Sequence, residues 1–169
     1  MALVGQDTCE KPDFDVYCVK KMDYTITTHT VEETERAGAE LALICSQNNE
    51  RFVAMYGDLG AGKTAFVRGI ASELASGAPV TSPTYSIVNE YAPSGAEKPT
   101  LFHFDMYRVS DWDDLDSIDF DSYFTRDALI VTEWSENIHF ALPAHHIRVD
   151  IEKLDENSRR ISVKEVELK

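Results

Sequence analysis

The sequence predicts an α/β domain, a three-layer sandwich with a mixed sheet that is parallel at its centre and carries antiparallel hairpins at its edges. Three observations predict it. Phe52-Val53-Ala54-Met55-Tyr56 and Ala128-Leu129-Ile130-Val131-Thr132 are short, nearly continuous apolar runs, the pattern of strands covered on both faces in a parallel sheet. The first run passes through a glycine-rich loop, Gly57 to Thr64, into a stretch of helix formers, so strand, loop and helix follow one another. Finally, Ile147–Ile151 and Ile161–Val166 read as a closing antiparallel pair. At 169 residues the chain is about one domain's worth. We assign residues 23–169 to that single domain and residues 1–22, which have mixed charge, Pro12 and no clear periodicity, to a weakly ordered N-terminal extension.

The elements follow in order. Tyr24-Thr25-Ile26-Thr27-Thr28 is β-branched and aromatic, an edge strand. Thr30-Val31-Glu32-Glu33 matches a capping box, and Ala37, Leu41 and Ile44 then recur on one face of a helix of about four turns. After the strand at Phe52–Tyr56, the second helix runs over Ala65–Leu74 and stops before Ser76-Gly77-Ala78-Pro79. Residues Tyr85 to Tyr91 alternate, Ala92 to Pro99 form a polar loop, and Leu101-Phe102-His103-Phe104-Asp105 returns as a strand, which together read as a hairpin. Residues 111–121 hold six aspartates interleaved with Trp112, Leu115, Ile118 and Phe120, a short amphipathic helix with a solvated acidic face.

Charge and composition exclude several classes. The formal net charge is −14 and the sequence pI near 4.6, whereas a nucleic-acid binder needs clustered Lys and Arg to neutralise phosphates. Only Lys20-Lys21 and Arg159-Arg160 are adjacent basic pairs, so no strong direct binding to nucleic acid or other polyanions is expected. The acidic first twenty residues hold no signal-length apolar stretch, which points to a cytoplasmic protein with no membrane partner. Cys9, Cys18 and Cys45 form no CxxC pair and receive no function.

Gly57-Asp58-Leu59-Gly60-Ala61-Gly62-Lys63-Thr64 satisfies G-x-x-x-x-G-K-[ST] in full and opens a helix after a buried-type strand, the context that separates a P-loop from an ordinary glycine-rich turn. Backbone N–H groups from Asp58 through Ala65 would cradle phosphates with the helix dipole behind them, Lys63 would reach the β and γ phosphates, and Thr64 would give its hydroxyl to Mg²⁺. No Asn-Lys-x-Asp segment occurs, so ATP is preferred over GTP. The fold class is therefore P-loop NTPase-like. Hydrolysis also needs carboxylates to serve the metal and the attacking water. Asp105 and Glu133 each follow an apolar run at a strand's carboxyl end, where α/β sheets place their ligands; for Asp105 a solvated hairpin end is the alternative. Thr81-Ser82-Pro83-Thr84-Tyr85 could sense a γ-phosphate or be a plain proline turn. Trp134 could stack on a base or partner, or be a core residue. His103 reads as a structural hydrogen-bonding residue, and Arg108 as a support for Asp105, a phosphate contact or a surface ion pair.

Together, and in this order, the phosphate loop, Thr81-Ser82-Pro83-Thr84-Tyr85, His103-Phe104-Asp105-Met106-Tyr107-Arg108 and Glu133-Trp134 closely resemble the TsaE (YjeE) family from about Tyr24 to Val166. The resemblance implies an ATPase, weak alone, that acts on the TsaD–TsaB transferase pair in making threonylcarbamoyladenosine on tRNAs reading codons that start with A. It implies that Lys63 holds the phosphates, that Thr64 and Glu133 ligate Mg²⁺, and that Asp105 is needed for hydrolysis. It also places the nucleotide near Thr30 to Thr34 and near Arg159 or Arg160. Two other readings are a P-loop small-molecule kinase and a nucleotide-sensing binding module without functional hydrolysis. The eight arginines are scattered with no lid-like cluster, which ranks the kinase low.

Overall fold

The structure is a computed structural model that describes residues 22–168 apart from 76 and 78. The extension assigned to residues 1–22 lies outside the described residues except for Met22. That residue is buried, and its carbonyl accepts the Glu165 N–H at 2.8 Å.

Among the described residues seven strands form one sheet: β1 (Asp23–Thr28), β2 (Phe52–Tyr56), β3 (Val88–Tyr91), β4 (Thr100–Asp105), β5 (Ala128–Glu133), β6 (His145–Lys153) and β7 (Arg159–Glu167). Their spatial order is β1-β7-β6-β2-β5-β4-β3. The pairs β6·β2, β2·β5 and β5·β4 are parallel, and β1·β7, β7·β6 and β4·β3 are antiparallel. The parallel centre, the edge position of β1 and both hairpins agree with the sequence reading.

Period-2 alternation explains why the central strands read as unbroken apolar runs. On β2, Val53 and Met55 face one core with Leu41, Phe66 and Ile70 of two long helices, α1 (Val31–Asn48) and α2 (Lys63–Leu74). Phe52 and Ala54 face a second core with Phe102, Phe104, Phe120 and Ile130. That second face is covered by a short helix, α3 (Trp112–Ser117), and by 3-10 turns at Phe120–Thr125 and Ser135–Ile138.

Helix α1 begins as its capping pattern requires: the Thr30 hydroxyl accepts the Glu33 N–H at 3.1 Å. Glu33 reaches back one residue beyond the usual partner, to the His29 N–H at 2.6 Å. At eighteen residues α1 is longer than the four turns expected. Helix α1 packs on α2 through two glycines. A Cβ on Gly38 would lie 2.1 Å from the Phe66 carbonyl oxygen, and one on Gly69 would lie 1.7 Å from that of Glu35. The two backbones approach too closely for any side chain there.

Three elements depart from expectation. Helix α2 starts at Lys63 rather than Ala65, because Gly62 adopts a left-handed cap (φ 108) that lets the helix begin directly at the loop. Strand β3 starts at Val88 rather than Tyr85, since Thr84–Ser86 form a turn closed by the Ile87 N–H on the Pro83 carbonyl at 2.8 Å. The acidic helix over 111–121 is cut short: α3 ends at Ser117, and Asp119, left-handed at φ 52, redirects the chain into the 3-10 turn.

Candidate functional site

The phosphate loop lies at the carboxyl end of β2, where the parallel centre of the sheet opens. Gly57 can have no side chain there, as a Cβ would fall 2.3 Å from the Ile151 carbonyl oxygen. The Ala61 N–H closes a turn onto the Asp58 carbonyl at 3.1 Å, and Gly62 caps α2 with no side chain to satisfy the N–H groups of the first turn. Those donors and the positive end of the helix dipole are the elements of an anion site.

Lys63 is only 4% exposed. Its ammonium donates to the carbonyls of Gly57 and Asp58 and lies 3.9 Å from the centre of the Trp134 ring. Burial pushes its pKa below the ordinary 10.5, against the opposing pull of Glu133, Glu136, Asp105 and Asp58. Trp134 packs at the margin of the second core. It is half-buried, packs on Tyr107 at 5.0 Å between ring centres, and takes a left-handed backbone (φ 60) that costs about 1 kcal/mol in a residue with a Cβ.

The two carboxylates meet here through sheet register. Asp105 of β4 pairs with Glu133 of β5, and Glu133 is next to Met55 of β2, one residue from the end of that strand. Register partners point to the same face, so both acids arrive beside the loop. The Thr64 hydroxyl donates to Glu133 Oε1 at 2.9 Å. The same oxygen lies 2.9 Å from His103 Nε2. His103 is fully buried and its Nδ1 has no partner among the described residues, so its bond to them is the Nε2–H donated to the carboxylate. This gives its sequence-predicted hydrogen-bonding role a definite object.

Asp105 is 7% exposed, which removes the solvated hairpin-end alternative. Oδ2 accepts from the hydroxyls of Ser82 and Thr84, each at 3.0 Å, and Oδ1 accepts from the Tyr107 N–H at 3.1 Å. Arg108 supports Asp105 at one remove: its guanidinium donates to the Thr84 and Tyr85 carbonyls at 2.6 and 3.2 Å and so braces the turn that presents those hydroxyls. Of the two late arginines, Arg159 stands at the loop, 3.5 Å from the Gly60 carbonyl, with Thr34 also beside Gly62. Arg160 instead pairs with Glu152 at 2.7 Å. Glu136, whose charge bears on Lys63, is a participant the sequence reading missed, because no motif marks it.

Comparison with known proteins now bears on this geometry. A family profile described as "Threonylcarbamoyl adenosine biosynthesis protein TsaE" matches residues 28–161. The chain belongs to the TsaE family. Among its relatives is the tRNA threonylcarbamoyladenosine biosynthesis protein TsaE of Haemophilus influenzae, 36% identical over 118 residues, which are 70% of this chain and 73% of that one. The TsaE protein of Mycobacterium bovis is 33% identical over 145 residues, covering 82% and 84% of the two chains. The crystal structure of Bacillus subtilis YdiB matches with a TM-score of 0.61 at 26% identity, covering 85% of each chain. The YdiB fold agrees with a P-loop architecture, and the TsaE match with a role in threonylcarbamoyladenosine synthesis. No helix among the described residues is long and apolar enough to cross a membrane.

Proposed function

We propose that the chain binds ATP with Mg²⁺ and hydrolyses it as a subunit of threonylcarbamoyladenosine synthesis on tRNA, acting on the TsaD–TsaB pair. The observation that carries this reading is the meeting of Thr64 and Glu133 at 2.9 Å, at the start of the loop helix and beside Lys63, in a TsaE-family chain. A hydroxyl and a carboxylate are hard oxygen donors, and two of them suit Mg²⁺, which keeps most of its waters and takes few protein ligands. A metal held there would supply charge neutralisation across the β and γ phosphates.

The chain's own groups would do the rest. The first-turn N–H groups of α2 and the Lys63 ammonium bind the phosphates. His103 holds the Glu133 carboxylate in one orientation toward Thr64. Asp105, fixed at both oxygens, is oriented to align a water and accept its proton, and Ser82 and Thr84 on Oδ2 tie that carboxylate to a turn able to report on a γ-phosphate.

The test is Mg-ATP hydrolysis by the purified chain with and without TsaB and TsaD, alongside tRNA modification reconstituted with and without it. Stimulated hydrolysis and dependence of modification on the chain are expected; no stimulation and no co-purification with the pair would overturn the proposal. Glu133→Gln and Asp105→Ala should still bind partners but fail to sustain modification, with turnover falling 10²-fold or more, on the order expected for loss of a catalytic group. If such variants sustain modification fully, the chain is a nucleotide-sensing module in which hydrolysis is incidental.

A further inference from the structure

The face of β6 and β7 that packs under α1 is apolar through Ile147, Val149, Ile161 and Val163, all buried. Side chains two apart on a strand share a face. The same stripe therefore continues to His145 on β6 and to Glu165 and Glu167 on β7, with His145 opposite Glu167 and Ile147 opposite Glu165. At that point it has run past the end of α1. The left-handed cap at Asn49 turns the chain, the Glu50 N–H bonds the Cys45 carbonyl at 2.8 Å, and the Glu50 side chain, only 8% exposed, is laid over the end of the stripe. As a result His145 Nε2 is 2.7 Å from Glu50 Oε2, and His145 Nδ1 is 2.6 Å from Glu167 Oε1. Donor atoms of Glu50, His145 and Glu165 all lie within 4.8 Å of one another.

The geometry points to a binding site for a zinc-class divalent cation formed by Glu50, His145 and Glu165, with water completing the shell. Oxygen donors alone would suit Mg²⁺ or Ca²⁺, whereas an imidazole nitrogen moves the preference to Zn²⁺ and its transition-metal neighbours. Glu167 supplies the outer partner such sites use: a metal-ligating histidine gives its other ring N–H to a carboxylate, which sets the tautomer and presents the opposite nitrogen. Coordination would release the Nε2 proton to solvent and replace the hydrogen bond between Nε2 and Glu50 with two metal bonds. Three carboxylates around one imidazole leave the cluster negative even when the ring is charged, so a divalent cation is the charge this corner lacks.

The ion would clamp the end of α1 to β6 and β7, at the end of the sheet opposite the phosphate loop, since β6 runs parallel to β2 and His145 is its first residue. Glu165 and Glu167 lie beyond the residues matched by the family profile, while Glu50 and His145 lie within them.

Co²⁺ titration followed by visible absorption, and Zn²⁺ titration by calorimetry, on the nucleotide-free full chain test it. Expected are one equivalent of Co²⁺ giving d–d bands, displacement by one equivalent of Zn²⁺, and a Zn²⁺-dependent rise in Tm. His145→Gln and Glu165→Gln should abolish the bands, and Glu167→Gln should weaken binding about 10–100-fold. Glu133→Gln should bind as the unaltered chain does. Melting in EDTA shows that each variant is folded. Absence of the bands, bands unchanged in His145→Gln, bands lost in Glu133→Gln, or a thiolate-to-metal band placing the ion on a cysteine would each overturn the site.

Discussion

Lys63 has two sets of partners to choose between. Without phosphate it is held by the carbonyls of Gly57 and Asp58 and by the Trp134 ring. A polyphosphate offers it full negative charge instead. Lys63→Ala should therefore cost nucleotide affinity by about 10–100-fold, the loss expected from removing hydrogen bonds to a charged group; unchanged ADP affinity by calorimetry would contradict this. The lowered pKa adds a second consequence. An ammonium that burial disfavours withholds stability at low pH and returns it as pH rises through the lowered pKa toward 10.5. Phosphate raises that pKa again, so binding in this alkaline window should take up a proton. Calorimetry in two buffers of different ionisation enthalpy should show the uptake, and Lys63→Met should abolish it. Cys45 needs no such account: burial pushes its thiol up to about 12, in keeping with the absence of any assigned role.

Helices α1 and α2 were legible separately and their contact was not. The capping box at Thr30 and the loop before Lys63 are local signals, written in adjacent residues. Gly38 and Gly69, thirty-one positions apart, are silent in the sequence and are where the two backbones touch. Gly69→Ala would place a methyl group against the Glu35 backbone, which has no side-chain freedom with which to yield. We expect a loss of about 2–3 kcal/mol, the upper part of the overpacking range, measurable by urea denaturation. Because α2 opens with Lys63 and Thr64, nucleotide affinity should fall with it; a variant of unchanged stability would show that the helices can part without cost. The late start of β3 has the same origin as the missed contact. Alternation from Tyr85 suggested a longer strand, but Asp105, 23 residues after Ser82 and 21 after Thr84, captures both hydroxyls and holds that part of the chain as a turn.

Over the molecule as a whole, the charge of −14 bears on partners more than on the fold. Under the proposed function, a charge of this sign would disfavour direct contact with tRNA and favour basic protein surfaces. We expect the chain to compete with tRNA for the TsaD–TsaB pair, with the exposed aspartates of 111–121 as the first place to look. Excess chain should lower the tRNA retained by the pair in a pull-down at low salt, less so as salt rises. Simultaneous binding at every ratio would rule the competition out. Fold class, the phosphate loop and both carboxylates at strand ends could be read directly, because apolar runs, glycine spacing and capping are encoded within a few residues of one another. What joins Glu133 to Thr64 and His103, selects Arg159 over Arg160, and turns Trp134 onto Lys63 is the order in which the strands lie side by side. That order depends on contacts between residues far apart in the chain, where burial of two apolar faces decides the neighbours and no local pattern records the choice.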